Sequence, residues 1–125
     1  MAATKHRIAV PGHGEVSALH DGASNTRCAF VYAPGAGSNL NDGFGAFLAS
    51  KLPDAGVDLW RFQFPYSEAK RSAPDRPPVL EATWRAVLAS VSDSGVPVFA
   101  GGRSMGGRIA SQVVAQGEDL SLIHI

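Results

Sequence analysis

Five consecutive residues, Gly102-Arg103-Ser104-Met105-Gly106, have the types and spacing for nucleophilic chemistry. An apolar run, Val96-Pro97-Val98-Phe99-Ala100, precedes them, and a helix-like pattern, Arg108-Ile109-Ala110-Ser111-Gln112-Val113-Val114, follows. A chain that passes from strand to helix in so few residues must turn tightly. A side chain at either flanking position would collide with the neighbouring strand or helix, which accounts for Gly102 and Gly106. The serine between them is predicted to take a strained conformation that lifts its hydroxyl above the sheet edge. Free N–H groups at the start of the following helix face the same spot, where charge developing on an attacked carbonyl would be stabilised. A glycine turn with a capping serine is the plainer alternative. The strand before and the helix after favour the nucleophile.

A second glycine-rich stretch, Pro34-Gly35-Ala36-Gly37-Ser38-Asn39, follows the nearly continuous apolar run Arg27–Ala33, which reads as a strand buried on both faces. Cys28 lies in that run and packs as a small apolar group. A dinucleotide fingerprint would need a third glycine where Leu40 stands, and a phosphate loop would need a Gly-Lys-Ser/Thr ending. The remaining reading is an oxyanion loop, in which the glycines let the backbone turn so that an N–H, that of Ala36, faces the nucleophile.

The other elements must hold these two turns together. His6–Val10 and Glu15–His20 read as short strands around Gly12-His13-Gly14, an antiparallel pair at one sheet edge. His6, His13 and His20 match no common zinc spacing and are read as surface residues; no metal site and no cofactor are expected. Asn41-Asp42 can cap a helix whose apolar face carries Phe44, Phe47, Leu48 and Leu52. Val57–Phe64 alternates like a strand. Pro65–Pro78 is irregular, and is either a ligand-binding loop at a strand's carboxyl end or a solvated connection. Leu80, Trp84, Val87, Leu88 and Val91 form the stripe of a second helix, and Ile109, Ala110, Val113 and Val114 that of a third. Strand and helix alternate, which predicts an α/β fold with a mostly parallel sheet and an antiparallel N-terminal edge.

The 125 residues suffice for one domain with a real core. Eleven basic residues balance eleven acidic ones, which gives no footprint for nucleic acid. No apolar run is long enough to cross a membrane, and Met1–Arg7 does not lead into a signal-peptide core. The single cysteine, Cys28, excludes an internal disulfide and suits a reducing, cytoplasmic location.

With both turns placed, the chain resembles the α/β-hydrolase superfamily, and more narrowly the small bacterial hydrolases often labelled dienelactone-hydrolase-like. Gly101-Gly102-Arg103-Ser104-Met105-Gly106-Gly107-Arg108 is similar to their nucleophile segment. Arg71-Ser72-Ala73-Pro74-Asp75-Arg76-Pro77-Pro78 is similar to the loop after their fourth strand. The resemblance runs from about residue 6 to residue 119. It implies that Ser104 is the nucleophile, that the N–H groups of Met105 and Ala36 form the oxyanion hole, and that a small acyl compound is the substrate. Dienelactone hydrolases themselves carry a cysteine nucleophile, so their substrate is not implied by Ser104. Pro34 also replaces the histidine that often precedes the first glycine of the loop.

A serine needs a base, and the base an orienting carboxylate, in the chain order Ser, acid, His for this fold. After Ser104 the chain offers only Glu118, Asp119 and His124, and His124 comes one short connection beyond the third helix, too early to be the base. Residues 1–119 are therefore expected to be the N-terminal part of a single α/β-hydrolase domain, truncated after the elbow helix. Leu120-Ser121-Leu122-Ile123-His124-Ile125 resembles the translation of a transposon-end sequencing adapter, so residues 120–125 are expected to be a non-native tail rather than a natural sixth strand. A serine hydrolase of esters, thioesters or amides is the function this implies. A non-catalytic module of the same fold, with Pro65–Pro78 as its contact surface, is the second reading.

Overall fold

Alternation along the central apolar run sets the architecture. In the computed structural model, which describes residues 3–92 and 95–117 together with the backbone of 121–124, Cys28–Ala33 forms β3. Its odd residues Ala29, Val31 and Ala33 join one core, and its even residues Phe30 and Tyr32 join another. A strand with both faces buried needs helices on both sides. The remaining strands are β1 (Thr4–Ala9), β2 (Glu15–Asp21), β4 (Val57–Phe62), β5 (Val98–Gly102) and β6 (Ser121–His124). The helices are α1 (Gly43–Lys51), α2 (Pro65–Glu68), α3 (Pro77–Val91) and α4 (Met105–Ala115). Across the sheet the order is β1-β2-β4-β3-β5-β6. β1 and β2 are antiparallel, β2 meets β4 antiparallel, and β4, β3, β5 and β6 run parallel. The expected α/β fold with an antiparallel N-terminal edge is the one observed.

The helices α3 and α4 share the larger core, with Leu80, Trp84, Val87, Val91, Ile109 and Val113 against Ala29, Val31, Phe62 and Ala100. On the opposite face α1 covers Phe30, Tyr32 and Leu59 with Phe44 and Leu48. Asp42 starts α1 by accepting from the Gly45 N–H at 2.6 Å, and its other oxygen accepts from the Tyr32 hydroxyl at 2.9 Å. Burial and that carboxylate together push the Tyr32 phenol well above its ordinary value.

Several boundaries differ from the sequence expectation. Pro77 takes the first position of α3, where a missing N–H costs nothing, so the helix begins before Leu80. The stretch Pro65–Pro78, expected as irregular, opens with the short helix α2, also led by a proline. The helix after the serine starts at Met105 itself, despite Gly106 and Gly107. Of the histidines expected at the surface, only His13 is exposed, in the turn between β1 and β2. His20 pairs with Trp60 across β2 and β4 and stacks on it at 4.2 Å, while His6 lies 4.9 Å from the same ring. The two are half-buried because their strands present them on the same face as the tryptophan. Cys28 is half-buried at the start of β3. No three His, Cys, Asp or Glu side chains among the described residues converge as metal ligands. Likewise, no described helix is long and apolar enough to cross a membrane.

One carboxylate ties the short α2 to the antiparallel edge. Glu68 Oε2 pairs with Arg7 Nη1 of β1 at 3.0 Å, and its Oε1 accepts from the Ser17 N–H of β2 and from Gln63 Nε2 at 3.1 Å. Partial burial alone would raise the Glu68 carboxyl. The hydrogen bonds from Ser17, Gln63 and Arg7 outweigh it and hold the group below its ordinary value of 4.5. Asp58 is lowered from 3.8 in the same way, its desolvation outweighed by the Ala23 N–H, the Thr26 hydroxyl and His20. Groups with depressed folded values contribute stability above their unfolded values and lose it as the pH falls through the folded ones. Stability measured by urea unfolding is therefore expected to decline as the pH drops below about 4.5, and Glu68→Gln is expected to flatten that decline. An unaltered slope in the variant would count against the bridge.

Candidate functional site

The carboxyl ends of β3 and β5 meet at the serine. A Cβ on Gly102 would lie 2.6 Å from the Ala33 carbonyl oxygen, and one on Gly106 would lie 2.5 Å from that of Pro34 and 2.7 Å from that of Ala33. These are backbone atoms that cannot move aside, so glycine is required at both positions. Between them Ser104 has φ 48° and ψ −111°, outside the regions that side-chain-bearing residues prefer. Such a conformation costs about 1–3 kcal/mol and persists only where its surroundings impose it. Here the Arg103 N–H donates to Ala33 O at 3.2 Å, the Gly106 N–H to Arg103 O at 2.9 Å, and the Arg108 N–H to Ser104 O at 2.9 Å. From α3 the buried Trp84 donates its indole N–H to Gly106 O at 3.1 Å, clamping the first turn of α4.

Ser104 stands at the N-cap of α4, yet its hydroxyl makes no capping bond. The plain alternative of a capping serine is thereby absent from the geometry. The residue is exposed, and the hydroxyl is left for other partners. Met105 is buried, and as the first residue of α4 its N–H has no intrahelical acceptor.

Beside the serine runs the loop that follows β3. A Cβ on Gly35 would lie 3.9 Å from Ser104 Cβ and 3.4 Å from Arg103 O. Gly35-Ala36-Gly37-Ser38 closes a turn through the Ser38 N–H and Gly35 O at 3.1 Å, with Gly37 at φ 77°. A positive φ at the third position alone is the signature of a type II turn, which favours glycine there. The Gly37 N–H donates to the Tyr66 hydroxyl at 3.0 Å. The Ala36 N–H has no acceptor among the described residues, and Ala36 is exposed. The structure therefore brings together Gly102, Ser104, Met105, Gly106 and the Ala36 loop.

Residues that sequence reasoning passed over hold this loop. Tyr66, 1% exposed, and Ser67 belong to α2, and the Ser67 hydroxyl donates to Ser38 O at 2.9 Å. Gln63 Oε1 accepts from the Leu40 N–H at 3.3 Å. Pro65 directly after a strand was the available signal, since proline commonly opens a helix. Arg103, also exposed, makes no ion pair among the described residues; its charge reaches Tyr32 and opposes the rise of that phenol.

The histidines do not join the serine. His6 and His20 sit on β1 and β2, with β4 and β3 between them and β5. The backbone of His124 registers with Gly102 across β5 and β6, while its side chain, like Glu118 and Asp119, lies outside the described residues. A groove of about 780 Å³, lined by residues such as His20, Asp21, Asn25 and Asp54, opens at the amino ends of β3 and β4. It is at the opposite end of the sheet from Ser104 and takes no part in this site.

Comparison with known proteins places the architecture. The chain is similar to a lidless α/β serine hydrolase from Xanthomonas campestris, with a TM-score of 0.83, 17% identity, and coverage of 99% of this chain and 61% of that one. A serine hydrolase homologue from Coxiella burnetii gives 0.80 at 21% identity, covering 99% and 62%. A thermostable carboxyl esterase from Bacillus coagulans gives 0.74 at 19%, covering 99% and 44%. The chain thus spans less than two thirds of the length of these structures, and at such identities the likeness is one of fold. No curated protein sequence matches it. A model of the alpha/beta hydrolase domain matches residues 26–124, which include the whole parallel part of the sheet and both turns of the site, and the chain belongs to that family.

Proposed function

We propose that the protein is a serine hydrolase that cleaves an ester, thioester or amide through an acyl-enzyme on Ser104. One observation carries the reading: an exposed, uncapped serine in a strained turn, beside a loop whose Ala36 N–H is unengaged. Ser104 Oγ attacks the carbonyl carbon and the carbonyl oxygen gains the negative charge. The N–H groups of Ala36 and Met105 stabilise that oxyanion, aided by the positive end of α4. Both are backbone donors fixed before the substrate arrives, so they need no reorganisation during the reaction.

The proton of Ser104 has to pass to a base oriented by a carboxylate. Neither is found beside Ser104 among the described residues, and in this reading both follow α4 in the full-length protein, acid before histidine. Residues 1–119 then form the N-terminal part of one hydrolase domain, and residues 120–125 a non-native tail. Sequencing the source gene across codon 119 tests this directly. A reading frame that departs from Leu120–Ile125 and later encodes an acid and a histidine is expected; a natural gene encoding those six residues overturns the tail.

In the full-length protein Ser104→Ala is expected to abolish labelling by a fluorophosphonate probe, read by gel fluorescence or mass spectrometry. Labelling that persists elsewhere would remove Ser104 from the mechanism. Ala36→Pro deletes the second donor at the one turn position where proline is favoured, so the loop keeps its shape. Turnover of a nitrophenyl ester is expected to fall on the order of 100-fold. Unchanged turnover would locate the oxyanion donor at another residue.

A further inference from the structure

We propose that Tyr66 and Ser67, at the start of α2, are positioning residues that set the aim of the Ala36 N–H. The inference rests on the serine-hydrolase reading and adds to it a device outside both glycine turns. The turn Gly35-Ala36-Gly37-Ser38 is soft by composition, since two of its four residues are glycines and neither carries a side chain to pack. Its central peptide, between Ala36 and Gly37, can rotate between type I and type II arrangements when nothing holds it. Held by nothing outside, the whole turn can also tilt about its ends, and the Gly35–Ala36 peptide, which carries the donor, tilts with it.

Two bonds from α2 oppose that motion. The buried Tyr66 hydroxyl accepts the Gly37 N–H at 3.0 Å, fixing the central peptide, and the Ser67 hydroxyl donates to Ser38 O at 2.9 Å, fixing the exit from the turn. With the Ser38 N–H on Gly35 O, four polar groups of the turn (Gly35 O, the Gly37 N–H, the Ser38 N–H and Ser38 O) are engaged while the Ala36 N–H is left out. A helix of four residues has no rigidity of its own. Its stiffness comes from anchors at both ends: the Tyr66 N–H donates to Asp75 Oδ2 at 2.8 Å, and Glu68 binds Arg7, Ser17 and Gln63. The loop is thereby strapped to β1, β2 and the Asp75 segment.

A strap of this kind acts on the transition state. It leaves ground-state binding alone, because the oxyanion forms only as the carbonyl is attacked. The test uses the full-length protein with a nitrophenyl ester and a fluorophosphonate, comparing the wild type with Tyr66→Phe, Ser67→Ala and Ser104→Ala. Tyr66→Phe keeps the ring and removes the acceptor. A fall in kcat of roughly 10- to 100-fold is expected, with KM within about twofold. Phosphonylation should slow by a similar factor, and Ser67→Ala should show the same split to a smaller degree. Wild-type kcat in both strap variants, or a loss carried in KM instead, overturns the proposal. Should Tyr66→Phe not fold, Ser67→Ala decides by the same criterion. Turnover that survives in Ser104→Ala overturns the nucleophile and the strap together. Turnover lost in Ser104→Ala but intact in both strap variants overturns the strap alone.

Discussion

One backbone contact governs this molecule: the turn after β5 lies directly against the last carbonyls of β3. Gly102 and Gly106 approach Ala33 O and Pro34 O so closely that a methyl group fits at neither glycine. The same Ala33 carbonyl accepts the Arg103 N–H, so sterics and hydrogen bonding act at one point. Once this contact forms, the backbone of Ser104 has little choice of conformation. The chain leaving β3 must also pass beside the serine, because it starts from the atoms the elbow rests on. Ser104 and the loop are thus neighbours through a single packing event in the middle of the parallel sheet.

Around that contact the structure adds clamps of different chemistry. Trp84 reaches from α3 to Gly106 O, an amide-type bond of about 1 kcal/mol in net terms, in a fully buried site where losing it would strand the indole N–H. Its ring also meets Phe62 edge-on at 4.9 Å, so the residue that clamps the elbow belongs to the core. Beyond its start at Pro34 and Gly35 the loop is held by polar bonds from Tyr66, Ser67 and Gln63. Serine and loop are therefore secured to different extents. The serine is fixed by van der Waals packing that tolerates no substitution, and the loop by hydrogen bonds that can be removed singly.

The elements that depend on periodicity were legible in the sequence. Phe30 and Tyr32 against Ala29, Val31 and Ala33 announce a two-sided strand, and the stripe from Leu80 to Val91 announces a helix. The serine turn was legible because its glycines have a steric cause tied to their spacing. Elements made by tertiary bonds were not legible. The helix α2 has four residues, no periodic stripe, and a stability that comes from Asp75, Glu68 and Arg7, scattered over the sequence. No local pattern records that a tyrosine hydroxyl faces a glycine N–H 29 positions away. His6 and His20 misled for a related reason, since their burial comes from β4, which is placed beside β2 although β3 intervenes in the chain. Ser121–His124 reads as a strand and lies as one beside β5. An open apolar sheet edge pairs with any strand-forming segment, so that pairing carries no mark of the segment's origin.

For the proposed reaction at Ser104, the distribution of histidines limits where a base can come from. An imidazole must come within roughly 2.6–3.2 Å of the hydroxyl it deprotonates. Three intervals of sheet separate β2 from β5, or about 14 Å at the usual strand spacing, and no histidine side chain on β1 or β2 spans that. His6 and His20 are also committed, one packed on Trp60 and the other stacked between that ring and Asp58. Approach from the side of β3 is closed by the loop itself, and from beneath by the buried first turn of α4. Ser104 itself is exposed. In the proposed reaction the base then has to come from chain that follows α4 and reaches that exposed residue. It has to do so without displacing the loop or the first turn of α4, since in that reading both supply the N–H groups that hold the oxyanion.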